Sequence, residues 1–340
     1  MIRKKIIDFK DLGIGSYALE ELSTVPSKLF PLLTLKSELR MPTKELRARL
    51  YLKQVVNGGS FGEIRLATRV HPEIDETIDV YVKSPRLEAM NLQTEALLQF
   101  CAHKCLLHHS IPWAIPKVYD IFWYQNKTHF SMSVMQGVFL DRWFQQSASP
   151  DTDFFLLMAQ LSIFLCLLHQ CIGLDHRDLK ADNLLISSQS CVLQFQYGAR
   201  TYTLRCPFQV HILDFGFACL GQGHGDASST FVNLGDGVLP SIDPCPKEGR
   251  DLFQFLLSLL CVKTIRTVLS SSCMKSVETW TGTKYLSMAQ KMSEDTSWIY
   301  LLTSSPDFTS PKSTPYSILR DIVLLAPELF QRESSHQQPV

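Results

Sequence analysis

Between Leu174 and Ile186 the chain reads LDHRDLKADNLLI. Positions 176 to 183 of that stretch hold one histidine, one arginine, two aspartates, one lysine and one asparagine. Carboxylate and carboxamide oxygens are hard donors suited to Mg²⁺. A positioned carboxylate can accept a proton from a hydroxyl. Lysine and arginine are cations that pair with phosphate oxygens. The aliphatic Leu184, Leu185 and Ile186 follow at once. The stretch is either a solvated loop between two buried elements or a catalytic loop, and the rest of the chain must decide.

Three other groups belong in the same question. Asp214-Phe215-Gly216 comes directly after the apolar run VHIL. Val82-Lys83 lies near the end of IDVYVKS, which reads as a strand. Upstream, NGGSFGEI (57–64) separates RLYLKQVV from EIRLATRV, two alternating segments around a glycine-rich turn. Residues 86–107 have helical spacing, with Leu87, Met90, Leu97, Leu98 and Cys101 on apolar faces. KVYDIFWY and THFSMSVMQ look like two more strands. Past Gly137 the texture turns helical. Ser149-Pro150-Asp151 predicts a helix start, with Ser at the N-cap and Pro at the first helical position. An apolar helix over 151–171 follows. Residues 191–213 are rich in β pattern with a turn at Tyr197-Gly198, and 250–262 form a second apolar helix. The expected organisation is an extension over 1–48, a small strand-rich lobe over 49–137, a larger helical lobe over 138–330 and a flexible tail over 331–340.

Composition narrows the function classes. Apolar residues make up 45% of the 340 positions, charged residues 19%, and the formal net charge is zero. That is an ordinary globular balance, without the basic excess that accompanies nucleic-acid or anionic-membrane binding. No nucleic-acid partner is expected. The ten cysteines are scattered without a C-x-x-C pair, and MIRKKIIDFKD lacks an apolar run of signal length. A disulfide framework is not expected, and an intracellular setting, cytoplasm or nucleus, is. Cys101, His103, Cys105, His108 and His109 lie close in sequence, but their spacing matches no zinc pattern, and a helix with buried thiols is the plainer reading. The uncharged stretch 154–171 is near the ~18–20 residues a membrane span needs. It also carries Gln160, Ser162 and His169, and a helix apolar all round equally suits a domain centre.

Taken in order, these motifs carry a resemblance. His176-Arg177-Asp178 with Asn183, then Asp214-Phe215-Gly216, Lys83 on a strand, and the glycine turn before it are similar to the set that marks eukaryotic-type protein kinases. The resemblance runs from about Arg49 to at least Val262. It implies an α+β, bilobal protein-kinase fold, with a small antiparallel sheet lobe bearing one helix and a larger, mainly helical lobe. It implies an ATP- and Mg²⁺-dependent transfer of the γ-phosphoryl group to protein substrates. By the same resemblance Asn57, Gly58, Gly59, Ser60, Phe61, Gly62 and Ile64 would cover the triphosphate, where missing Cβ atoms let backbone approach closely. Asn57 stands where the family has its first glycine. Lys83 would meet the α- and β-phosphates, held by Glu95, with Glu88 the alternative. Asp178 would accept the substrate hydroxyl proton, and Asn183 and Asp214 would be the metal ligands. Lys180 matches what serine/threonine kinases carry after the aspartate and would sit near the γ-phosphate. His176 would be structural, Phe215 and Gly216 would complete the aspartate motif, and Asp251 would anchor the loop backbone, although a helix N-terminus also favours an acid. Residues 154–171 would then be the buried helix before the loop, and no membrane span is expected.

The chain also departs from the pattern. Asp178 and Asp214 lie 36 positions apart, about twice the family's usual gap. The extra piece, QSCVLQFQYGARTYTLRCPFQVH, alternates like a β-hairpin, and haspin-like atypical kinases carry a similar elaboration. No A-P-E follows Gly216, which leaves the substrate-docking segment atypical. Compact divergent kinases of this sort are found in large DNA viruses, for which the setting would be the host cell. Arg177 beside Asp178 is the arrangement in which a phosphate on the following segment pairs with arginine, and Ser228, Ser229 and Thr230 are the candidate acceptors. The alternative reading is a pseudokinase acting as an ATP-binding scaffold or decoy. Against it, Lys83, Asp178 and Asp214 are all present.

Overall fold

Alternation along strand β4 (Glu76–Pro85) positions the site. Val80 and Val82 point to one face, and the period of two turns Lys83 to the other. The first face packs Val80, Val82, Ala67, Leu50 and Phe122 into a core flanked by Leu52, Ile78, Tyr119 and Tyr124. Burial of each large apolar side chain there contributes about 1.5–3 kcal/mol. In this computed structural model the described residues are 5–8, 48–58, 62–71, 76–86, 92–125, 127–198, 200–221, 231–232, 245–292 and 296–332. They divide into two compact units.

The first unit runs to Met135 and also includes Asp214–Leu220 and the short strand at Phe231–Val232. Its sheet has the order β1-β2-β3-β4-β6-β5, with β1 (Lys5–Asp8), β2 (Arg49–Gly58), β3 (Gly62–His71), β5 (Val118–Tyr124) and β6 (Lys127–Ser133). All its pairings are antiparallel. A buried pair ties distant strands together. Arg69 on β3 donates from Nε (2.8 Å) and Nη2 (3.0 Å) to the two carboxylate oxygens of Asp120 on β5, and Ser131 on β6 donates to Asp120 at 2.6 Å. Helix α1 (Leu92–His108) is buried along most of its length and is held by Gln99 Nε2 donating to Pro116 O and by His103 Nδ1 at Ile115 O.

The second unit takes residues 136–213 and most of the chain after 241. Short β7 (Val138–Phe139) leads into α2 (Leu140–Gln146) and the long α3 (Pro150–Ile172). By length and composition α3 could cross a membrane, but its side chains from Phe154 to Leu168 are mostly buried within the protein. It ends at Gly173, whose φ of 64° suits glycine, and whose N–H caps the carbonyls of Leu168 and His169. A Cβ there would fall 2.0 Å from the Gly221 carbonyl oxygen, so no other residue fits. Then come β8 (Leu174–Asp175), a 3₁₀ turn at Ala181–Asn183, and β9 (Leu184–Ser187), which lies between β12 (Gln209–Ile212) and β7. The extra segment forms a hairpin, β10 (Cys191–Tyr197) and β11 (Arg200–Cys206). Gln160 of α3 anchors the end of that segment, donating to Phe208 O and accepting from Val210 N, both at 3.2 Å. β13 (Cys219–Leu220) and β14 (Phe231–Val232), both of the first unit, pair antiparallel. Helices α4 (Arg250–Cys261), α5 (Lys263–Val268), α6 (Ser271–Thr281), α7 (Thr283–Lys291), α8 (Ser297–Ser304) and α9 (Pro315–Leu325) follow, and β15 (Phe330–Arg332) closes the chain's described part.

Three details bear on where the expected segments begin and end. The segment from Asp214 to Leu220 groups with the first unit, where Asp214 bonds Lys83. Residues 5–8 join the sheet through β2 instead of standing apart as an extension. Gln331 and Arg332 pair with Thr203 and Tyr202, so a strand runs into the expected tail. Ser149 occupies the N-cap of α3 with Pro150 in its first turn, as the sequence predicts, and the serine side chain makes no cap hydrogen bond. Ser147 supplies the local bonds instead, its hydroxyl donating to Asp153 at 2.5 Å and accepting from Ser149 N at 3.1 Å.

Candidate active site

Two clusters of polar side chains carry the chemistry, one in each unit. The first centres on Lys83. Its ammonium donates to Glu95 Oε1 at 2.5 Å and to Asp214 Oδ1 at 2.8 Å. Strand β4 presents the lysine and the first turn of α1 presents the glutamate. Both are almost wholly buried, whereas the Asp214 side chain is 38% exposed. Burial alone would lower the lysine pKa, but the charges of Glu95 and Asp214 hold it above its ordinary value. Burial pushes the Glu95 carboxyl up to about 7, against the pull of Lys83. Asp214 has φ of 60°, an uncommon conformation for a non-glycine residue. Its Oδ1 also accepts the Gly216 N–H at 3.2 Å, and Phe215 is fully buried beside it. Gly62 lies against the lysine stem, where a Cβ would stand 3.1 Å from Lys83 Cε. Ile64 pairs directly with Lys83 across β3 and β4, and Asn57 and Gly58 pair with Ile64 and Glu63. Gly59, Ser60 and Phe61, and the alternative Glu88, lie outside the described residues.

The second cluster is the loop 174–186. Asp178 is buried, 4% exposed. Asn183 Nδ2 donates to its backbone oxygen at 2.8 Å and to its Oδ2 at 3.0 Å, and Lys180 Nζ pairs with the same Oδ2 at 3.0 Å. With its amide nitrogen committed to Asp178, Asn183 has its carboxamide oxygen to offer a cation. Such an oxygen is a hard donor of the kind Mg²⁺ takes, and in the first unit the Asp214 carboxylate is another. His176 is fully buried. Its Nε2 meets Leu213 O at 2.8 Å and its Nδ1 accepts the Asp178 N–H at 3.3 Å. Those partners assign the neutral Nε2–H tautomer, a positioning role. Arg177 is buried with φ of 64°. Asp182 is exposed.

The loop is held from α4. Asp251 accepts His176 N at 2.7 Å and Arg177 N at 2.8 Å on its two oxygens. Burial, and then the charge of Asp175, push the Asp251 carboxyl up to about 7 against those two bonds. Three residues missing from the sequence reading share the support. Asp175 is buried, and its Oδ2 accepts from Arg250 Nη2 at 2.6 Å, Arg250 Nε at 3.0 Å and Lys247 N at 2.7 Å. Burial would raise the Asp175 carboxyl, but Arg250 and His169 hold it below the usual carboxylate range. The one sequence signal for this pair was an acid in a short, otherwise apolar segment.

The Glu95 shift makes a pH expectation for any reaction that uses Lys83. Above about pH 7 the glutamate is charged and grips the lysine, and below it the carboxyl takes a proton and the grip weakens. Measured kcat/KM for the nucleotide should therefore rise with pH through an inflection near 7. Glu95→Gln, which cannot titrate, should lose that inflection as well as part of the activity. An inflection in the parent near the ordinary carboxylate range would contradict the assignment.

The family comparison agrees with the geometry. The family model described as "Protein tyrosine and serine/threonine kinase" matches residues 50–227, just over half of the chain. No curated protein matches the sequence. Among solved structures, that of vaccinia related kinase 3 is similar at 16% identity and a TM-score of 0.46, covering 90% of this chain and 96% of that one. The matched span starts on β2, contains Lys83, Glu95, Asp178, Asn183 and Asp214, and stops before Asp251. With that family match, and with the lysine–glutamate pair and the aspartate loop built as described, the chain belongs to the protein tyrosine and serine/threonine kinase family.

Proposed function

We propose that the protein is an active ATP- and Mg²⁺-dependent kinase of serine and threonine hydroxyls on protein substrates. The observation that carries this reading is the Lys83–Glu95–Asp214 triad, formed at 2.5 and 2.8 Å around one buried ammonium. That ammonium is fixed between two carboxylates, an arrangement that supports holding a lysine ready for nucleotide phosphates. In this reading the acceptor hydroxyl oxygen bonds the γ-phosphorus as the bond to the β,γ-bridging oxygen breaks. ADP leaves, and the hydroxyl proton passes to the Asp178 carboxylate. Lys83 neutralises the α- and β-phosphates and Lys180 the γ-phosphate. Asn183 and Asp214 would offer their oxygens to Mg²⁺, which would supply charge neutralisation on the phosphate oxygens. The rest of the acceleration comes from positioning. Lys180 two residues after Asp178 supports serine or threonine as acceptor.

The direct test is transfer of label from γ-labelled ATP to proteins rich in serine and threonine, with Mg²⁺ and with excess chelator. Phosphoserine and phosphothreonine formed only with Mg²⁺ is the expected result. ATP binding without transfer to any protein would favour a scaffold, and phosphotyrosine alone would overturn the acceptor assignment.

A further inference from the structure

The buried Asp175–Arg250 pair takes no part in the transfer chemistry above, yet it adjoins the backbone that leads into Asp178. Arg250 immediately precedes Asp251 at the start of α4, and Asp175 immediately precedes His176 and Arg177. Two consecutive residues of the helix therefore grip three consecutive residues of the loop. Arg250 takes the Asp175 side chain with two nitrogens, at 2.6 and 3.0 Å. Asp251 takes the next two backbone N–H groups, at 2.7 and 2.8 Å.

The clamp extends on both sides. His169, at the end of α3, brings Nδ1 within 3.5 Å of Asp175 Oδ1. Lys247 donates its N–H to Asp175 and its ammonium to the carbonyls of Thr303 and Ser305 at the end of α8. Asp175 thus joins the loop to α3, α4 and α8. Arg177, two residues on, has φ of 64°. Such a conformation persists in a non-glycine residue only where its surroundings over-determine it. Asp251 alone fixes two N–H groups. Asp175 fixes the residue before them, so the chain cannot rotate about that hold.

We infer that Asp175 and Arg250 are positioning residues that hold Asp178 in its reactive orientation by locking the backbone of His176 and Arg177. The inference rests on the proposed transfer reaction, but its structural half can be read without activity. A single truncation leaves an uncompensated buried charge, and loss of fold is its expected result. The informative variant is therefore Asp175→Leu with Arg250→Met, which removes both charges and fills the volume. Arg250→Lys, which keeps the charge and loses the two-pronged hold, serves if the double variant does not fold.

Two readouts are taken on each folded variant, amide hydrogen exchange at residues 176–178 and steady-state kinetics. A lock predicts exchange at least about tenfold faster there, with the core of α3 unchanged. It also predicts kcat lower by about 10- to 100-fold, the scale of a misplaced catalytic group, with KM for ATP within about twofold of the parent. Parental exchange and parental kcat in a folded double variant, or in folded Arg250→Lys, would overturn the inference and leave the pair a matter of stability alone. Should the parent transfer no phosphate, the kinase reading fails, and exchange by itself still decides for or against the lock.

Discussion

Asp178→Asn should lower kcat by about 10²–10⁴-fold, the contribution of a positioned proton acceptor, while ATP binding persists. The substitution keeps the shape of the side chain. An asparagine oxygen can still accept from Asn183 Nδ2 and from Lys180, the two partners that Asp178 Oδ2 has now. What it loses is the basicity needed to take the hydroxyl proton. The fold should survive, because the loop backbone is held by Asp251 and by His176, not by the charge of Asp178. Melting temperature and nucleotide affinity near parental values, together with collapsed turnover, are the expected pattern. A variant as fast as the parent would remove Asp178 from the proton-accepting role.

Lys83→Met should reduce transfer to background, and it should also destabilise the first unit. Methionine fills much of the same volume and leaves Glu95, which is almost wholly buried, facing Asp214 with no cation between them. Breaking a buried pair by removing one partner costs about 3–5 kcal/mol, and part of that is relieved when Glu95 takes up a proton. The two effects separate in a second variant. Lys83→Met with Glu95→Gln removes the stranded charge, so its melting temperature should recover towards the parent while transfer stays at background. Recovery of transfer in that double variant would show that Lys83 serves the fold and not the nucleotide.

Much of the site was legible in the sequence for a chemical reason. The groups proposed for phosphoryl transfer fall in the short runs 176–183 and 214–216, so residue type and order are informative without any knowledge of the fold. The choice of Glu95 followed from helical period, and the structure brings it to Lys83. The hairpin at 191–206 was legible because alternation and a central glycine are local signals. The supporting pair was not. Asp175 and Arg250 lie 75 positions apart and meet only because α4 runs in beside the loop. A lone acid in a two-residue strand has no periodicity to expose it. The grouping of Asp214–Leu220 with the first unit was hidden for a similar reason, since its contacts, such as the bond to Lys83, span up to 131 positions. Ser149 shows how far a residue-type signal reaches. The residue type marks a helix start correctly, but which serine makes the capping bonds depends on side-chain geometry that pattern alone does not encode.

The central claim is that this chain moves a phosphoryl group from ATP to serine or threonine through Asp178. A degenerate peptide library, with γ-labelled ATP and Mg²⁺, run in parallel on the parent and on Asp178→Asn, tests it most directly. The account predicts label on serine- and threonine-containing peptides with the parent and about 10²–10⁴-fold less with the variant. A parent that binds ATP and labels no peptide, or labelling equal in the two proteins, would contradict it.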